Sequence, residues 1–227
     1  AGTDLIITYH SKADEAEAVV EEARWLGRKA VAMQLDTGNV SSFSDFSAQL
    51  ACHLQQNWQR DQFNFLVNNA GFGAYAPLSQ TTEQQFDALM NVHFKGVFFL
   101  TQTLLPQLAD GGRILNLSSG LTRFALPGYG AYAAMKGAVE VLSRYLALES
   151  GSRGIRVNTL APGAIETDFG GGTVRDNAEI NHAIAAQTAL GRVGLPDDIG
   201  PVVQMLLSEQ SGWINGQRIE VSGGIHL

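Results

Sequence analysis

Ser119, Tyr132 and Lys136 are the residues whose types and spacing suit chemistry. They lie in the runs Leu117-Ser118-Ser119-Gly120 and Gly130-Ala131-Tyr132-Ala133-Ala134-Met135-Lys136-Gly137. Four residues is about one helical turn, so the phenol and the ammonium share one helix face. A free phenol, with a pKa near ~10, is a poor base at neutral pH, and a nearby cation favours its phenolate. A tyrosine tuned in this way exchanges a proton with a substrate oxygen, while a hydroxyl such as Ser119 holds that oxygen in place. This is chemistry for interconverting an alcohol and a carbonyl, and it requires a hydride carrier.

The elements that must position these residues follow from hydrophobic patterning. Short β-rich apolar runs alternate with helical patterns, which predicts stacked βα units around a parallel sheet. The expected strands are Asp4–Tyr9, Ala30–Leu35, Asn64–Asn68, Arg113–Leu117, Arg156–Leu160 and Arg218–Val221. Their apolar runs are nearly continuous, as for strands covered on both faces. Helical spacing marks Ala13–Leu26, with Gly27 as a C-terminal stop, and then Val40–Trp58, Thr82–Leu108, Tyr132–Ser150 and Pro196–Leu207. Pro106 limits the third of these helices and Pro201 removes one backbone donor from the last. With no repeat, low-complexity tract or linker, residues 1–227 read as one domain. The fold class expected is α/β, a doubly wound parallel sheet.

Composition narrows the partners. The chain has 227 residues, 45% of them hydrophobic and 16% charged, enough for one domain with a sizeable core. A formal net charge of −7 argues against a nucleic-acid or anionic-membrane partner. No apolar run reaches the ~18 residues of a membrane span. Cys52 is the single cysteine, which excludes an internal disulfide and points to a reducing compartment, the cytoplasm. No metal-ligand cluster stands out. No Gly-x-Ser-x-Gly elbow is present, which excludes that route to a serine hydrolase.

These residues, taken together, resemble the short-chain dehydrogenases/reductases of the compact, single-domain type. The matching pieces are Asn68-Asn69-Ala70-Gly71 after a strand, Asn91 in the following helix, and Ser119, Tyr132 and Lys136. Pro162-Gly163-Ala164-Ile165-Glu166-Thr167 and Val221-Ser222-Gly223-Gly224 complete the set, in order over essentially the whole chain. The resemblance implies a Rossmann-like fold and an oxidoreductase that interconverts a small or medium ketone and its secondary alcohol. Tyr132 would be the general acid or base, Lys136 would lower its pKa and bind the nicotinamide ribose, Ser119 would polarise the carbonyl, and Asn91 would anchor a water. Asp36, with Thr37 beside it, matches the adenine-binding position. Asn69, Ala70 and Gly71 match a turn along the adenosine ribose. Pro162, Gly163, Ile165 and Thr167 match the segment that holds the nicotinamide carboxamide. The resemblance also suggests a homotetramer or homodimer built on the helices holding Asn91 and Tyr132.

Rival readings stay open at the level of residues. Asn91 fits a buried structural amide, and Asp36-Thr37-Gly38 fits a turn. Tyr129, seven residues before Lys136, has the spacing of enoyl-carrier-protein reductases, but the Asn-Asn-Ala-Gly turn and Ser119 favour Tyr132. After the first strand, His10, Ser11 and Lys12 supply donors and no acidic residue, so NADP(H) is favoured over NAD(H). A 3-oxoacyl-carrier-protein reductase is the first alternative activity, set back because Leu105–Gly112 carries no cation to meet an acidic carrier. A non-catalytic dinucleotide-binding regulator is the second. Thr167–Leu190, with Gly170-Gly171-Gly172, reads as a lid over the substrate, faced by a wall of Leu121, Arg123, Phe124, Leu126 and Tyr129. No glycine-rich phosphate loop is found. The resemblance places it in a further βα unit of about 20–30 residues ahead of Ala1. Either the sequence omits that unit or the molecule lacks it. The first is favoured, because losing a central strand would expose two strand edges.

Overall fold

A computed structural model describes residues 2–227. The strands β1 (Leu5–Tyr9), β2 (Ala30–Gln34), β3 (Phe63–Asn68), β4 (Leu108–Leu117), β5 (Arg156–Pro162) and β6 (Arg218–Val221) are joined through helices, and every pairing is parallel. Helices α1 (Ala13–Trp25) and α2 (Phe43–Trp58) flank β2. Between β3 and β4 a rod comprises α3 (Glu83–Met90), a π turn (Asn91–Lys95) and α4 (Gly96–Leu104). Helix α5 (Gly130–Glu149) precedes β5, and α6 (Thr173–Asp176), α7 (Ala178–Ala186) and α8 (Pro196–Leu207) lead to β6.

Local sequence explains several boundaries. Thr82 and Gln85 form a capping box at the start of α3: Thr82 Oγ1 accepts from the Gln85 amide at 3.2 Å, and Gln85 Oε1 accepts from the Thr82 amide at 3.0 Å. Gly27 ends α1 in the left-handed region (φ 74°), open to glycine at no steric cost. The rod stops at Leu104, not at Leu108 as its apolar pattern predicts, because Pro106 permits only a 3₁₀ turn (Leu105–Gln107). The residues beyond it start β4, which therefore begins five positions before the expected Arg113.

Alternation along β4 ties the sheet to both helical layers. Ile114 packs with Ala147 of α5, while its neighbour Leu115 packs with Leu206 of α8. Successive strand residues face opposite sides, so a strand buried on both faces must be apolar throughout. Each such buried side chain contributes on the order of 2 kcal/mol. A further cluster joins Met33 and Leu35 to Phe43, Phe46, Leu50 and Leu54 of α2 and to Leu100 and Leu104 of α4.

The helix-flanked parallel architecture is the class expected, but it falls into two sheets. Strands β1 and β2 form one sheet, and β3-β4-β5-β6 form another. Among the described residues, β1 and β3 each keep an unpaired edge, and Val67 of β3 is 38% exposed. The lid region differs too. The span 167–190 is not a bare loop: α6 and α7 occupy much of it, and Asn177 caps α7 by accepting from the Ile180 amide at 3.1 Å. Gly170, Gly171 and Gly172 all have φ between 64° and 76°, a left-handed run that side chains rarely adopt.

Candidate active site

The parallel register brings the C-terminal ends of the strands to one rim, where open α/β sheets place their ligands. Ser119 follows β4 and caps a 3₁₀ turn, its Oγ accepting from the Leu121 amide at 3.2 Å. Tyr132 and Lys136 sit in the first turns of α5 and are both buried, at 7% and 5% exposure. The one-turn spacing read from the sequence thus sets the phenol and the ammonium side by side, while Ser119 comes from the end of β4. Tyr132 clusters with Leu89 and Met135, and Leu121 and Ala74 pack against that cluster.

Burial pushes the Tyr132 phenol up to about 12, and the Ser119 hydroxyl, close enough to bond it, acts in the opposite direction. The expected lowering by Lys136 is not what this geometry gives. The Lys136 Nζ lies over the ring, 5.8 Å from its centroid, and donates to the Leu117 carbonyl at 2.7 Å. Desolvation is the larger influence, so the phenol keeps its proton across the neutral range. Burial also pulls Lys136 down to about 8.

Asn91 opens the π turn, and its carbonyl accepts from the Gly96 amide. The wide turn is a local change of helical register, of a kind frequent at functional sites. It swings His93 inward. This fully buried imidazole was not singled out in the sequence, since a lone histidine inside a helix carries no local signal. Its ring meets Tyr132 edge-on at 5.1 Å, and Nε2 lies 2.9 Å from the Phe72 carbonyl oxygen. It also explains Gly71, where a Cβ would stand 2.6 Å from His93 Cε1. Burial chiefly, with the Lys136 cation adding, pulls His93 down to about 4, against the pull of the Phe72 carbonyl.

A histidine held neutral in this way should make the fold acid-sensitive. The unfolded chain takes up a proton near ~6.5, before the folded one does, so stability falls as pH drops from there through about 4, by on the order of 3 kcal/mol. In a series of thermal melts from about pH 7 to about pH 4.5, His93→Asn should start lower and lose less than the parent. Parallel slopes would rule His93 out as the acid-sensitive group.

Behind Ser119 lies an ionic network the sequence reading also missed, because its members are far apart in the chain. The Glu140 carboxylate accepts from Ser118 Oγ (2.6 Å), Thr122 Oγ1 (2.7 Å) and Arg218 Nε (2.8 Å). Arg218 donates on to the Ser119 carbonyl at 3.2 Å and to Glu220 at 2.9 Å. Arg123 pairs with Glu220 through two bonds and also donates to the carbonyls of Ile225 and His226. It is therefore a strut to the C-terminal strand, not a free cation on the substrate wall. Asn68 and Asn116 add a buried amide ladder: Asn68 Nδ2 donates to Asn116 Oδ1 at 2.7 Å, and Asn116 donates to Ser143 Oγ at 2.8 Å.

The remaining candidates spread along the same rim. Asp36 is exposed; it accepts from the Gly38 amide at 2.8 Å and lies 3.8 Å from His10 Nε2. Thr37 packs its carbonyl so closely on Gly96 that a Cβ there would come within 2.1 Å. His10, Ser11 and Lys12 are exposed beyond β1, with Lys12 paired to Glu15 at 2.7 Å. Asn69 and Ala70 are exposed in the turn after β3. Gly163 bonds Val221 at 3.0 Å and Ile165 bridges Gly194, while Thr167 Oγ1 accepts from the Phe169 amide at 3.2 Å. Tyr129 immediately precedes α5, its ring edge-on to Tyr75 at 5.6 Å. Among the described residues there is no cluster able to hold a metal ion, and no helix is long and apolar enough to cross a membrane.

A parallel α/β sheet with a serine, a tyrosine and a lysine converging at its strand ends defines an oxidoreductase acting on CH–OH and C=O groups. A family profile described as enoyl-(acyl carrier protein) reductase matches residues 1–226. A tetrahydroxynaphthalene reductase of Pestalotiopsis fici is 35% identical over 234 residues, covering 98% of this chain and 82% of that protein. The angucycline C-6 ketoreductase LanV, solved with bound NADP, superposes with a TM-score of 0.93 at 34% identity, over 100% of this chain and 87% of that one. A blue fluorescent protein from a metagenomic library, solved with NADPH, gives a TM-score of 0.88 at 30% identity, over 98% of this chain and 87% of that one. The chain belongs to the short-chain dehydrogenase/reductase family.

Proposed function

We propose that this protein reduces a ketone to its secondary alcohol with NADPH, Tyr132 giving the proton. The observation that carries this reading is a buried phenol, Tyr132, with the buried Lys136 ammonium over its ring and Ser119 at the end of the neighbouring strand. Lys136 has three N–H donors and a single acceptor, the Leu117 carbonyl, among the described residues. A buried cation left so under-bonded suits the hydroxyls of a ribose. His10, Ser11 and Lys12 would meet a 2′-phosphate, Asp36 and Thr37 the adenine, and Asn69, Ala70 and Gly71 the adenosine ribose. Pro162, Gly163, Ile165 and Thr167 would border the nicotinamide.

When bound, the cofactor supplies a hydride to the carbonyl carbon. Tyr132 Oη donates its proton to the carbonyl oxygen, which Ser119 Oγ holds, and the alcohol leaves. Lys136, with a pKa of about 8, is able to return a proton to the phenolate near neutrality. Asn91, at the mouth of the π turn, would anchor a water linking Lys136 to solvent. The π turn keeps His93 edge-on against the Tyr132 ring.

The ketone reductases among the relatives favour this reading over enoyl reduction, and so does Tyr129, whose ring is turned to Tyr75. Exposed Phe98, Val141, Tyr145 and Leu148 on α4 and α5 support assembly into a homotetramer or homodimer through those helices. In a coupled assay, each NADPH consumed should appear as one alcohol formed, with NADH at least about tenfold less efficient. Equal use of the two cofactors would remove the assignment of His10, Ser11 and Lys12, and NADPH consumption without alcohol would remove the reduction itself.

A further inference from the structure

Several aromatic side chains surround the mouth of this site without being drawn into the core. Phe169, on the left-handed glycine run of the lid, holds its ring 6.0 Å from that of Tyr132 and is 46% exposed. It lies over Gly73, where a Cβ would stand 3.2 Å from both Phe169 Cε1 and Gly170 Cα. Two residues beyond Gly73, Tyr75 is 65% exposed and meets Tyr129 edge-on. That pair is built in: the Ala76 amide donates to the Gly128 carbonyl at 2.9 Å, and Gly128 (φ 85°) leaves room where a Cβ would come within 2.2 Å of the Tyr75 ring. The nearby charges are paired: Arg123 with Glu220, and Asp168, beside Phe169, with Arg175. Exposed apolar surface gathered beside a reacting group marks a ligand face, and aromatic faces prefer flat aromatic partners.

We infer that Phe169 and the Tyr75–Tyr129 pair form a clamp for a planar, fused-ring aromatic ketone, and that they determine specificity. This rests on the reduction reading above. The carbonyl would point inward to Ser119 and Tyr132, and the rest of the ring system would lie between the lid phenylalanine and the tyrosine pair. A slot walled by aromatic rings has little to offer a small aliphatic ketone.

The test compares α-tetralone, a fused-ring aryl ketone, with cyclohexanone, using NADPH and the whole protein. The parent should favour α-tetralone by at least about tenfold in kcat/KM, equivalent to ~1.4 kcal/mol. Phe169→Ala and Tyr75→Ala should each lose about tenfold on α-tetralone, mostly in KM, and at least five times less on cyclohexanone, roughly the worth of one aromatic contact. Phe169→Leu, which keeps the apolar volume and loses the ring, should behave like Phe169→Ala with an unchanged melting temperature. Equal efficiency on the two ketones, or equal losses in the variants, overturns the clamp and leaves the reduction standing. Consumption of NADPH with neither ketone overturns both.

Discussion

Tyr132→Phe should lower ketone turnover about a thousandfold, within the usual range for loss of a general acid, and leave NADPH binding within about twofold of the parent. The ring would still pack on Leu89, Met135 and His93 and cover Lys136, so the cofactor face is kept. What disappears is one O–H, the donor proposed to protonate the carbonyl oxygen as the carbon is reduced. Because burial holds the phenol up at about 12, the parent enzyme should show no loss of reduction from tyrosine ionisation below about pH 10. Single-turnover rates and NADPH fluorescence titration separate the two effects. A loss smaller than about tenfold would shift the proton donor to Tyr129, and Tyr129→Phe would then carry the defect.

Lys136→Met is expected to inactivate the enzyme and at the same time stabilise the cofactor-free protein. Burial drags the ammonium from 10.5 down to about 8, and each pKa unit is worth about 1.36 kcal/mol, so holding the charge inside costs about 3 kcal/mol. Below pH ~8 both the folded and the unfolded chain carry the proton, and the folded state bears the whole cost. Between ~8 and ~10.5 the folded chain is neutral while the unfolded chain is still charged, so the unfolded state binds more protons and stability rises with pH. A methionine of similar length removes the charge and keeps the packing. Melting without cofactor should therefore rise by roughly 5–10 °C near pH 7, and the gain should fade as pH approaches ~10.5. Activity should drop at least about a hundredfold, since the proposed ribose contact and proton source go together. A variant that melts lower than the parent at neutral pH would refute the buried-charge account.

Much of this molecule was legible from local pattern. The strand runs, the helix starting at Thr82, the stop at Gly27 and the one-turn spacing of Tyr132 and Lys136 all reappear within a few residues of where they were expected. Such features depend on neighbours within about one turn or one pleat, which a linear sequence displays directly. The lid helices were missed although Asn177 offered a cap signal, because the three glycines ahead of it dominate the reading of that stretch.

By itself, then, the chain determined which chemistry is present and on which elements it sits: a phenol and an ammonium on one helix face, a hydroxyl at a strand end, and a polar turn beyond another strand. Only the tertiary structure decided how those groups are tuned. It raised the tyrosine instead of lowering it, placed His93 behind the ring through a π turn, and took Arg123 out of the substrate wall to brace Glu220. The reason is physical: proton affinity follows burial and charges several ångströms away, and both come from segments that meet only when the sheet and helices have packed.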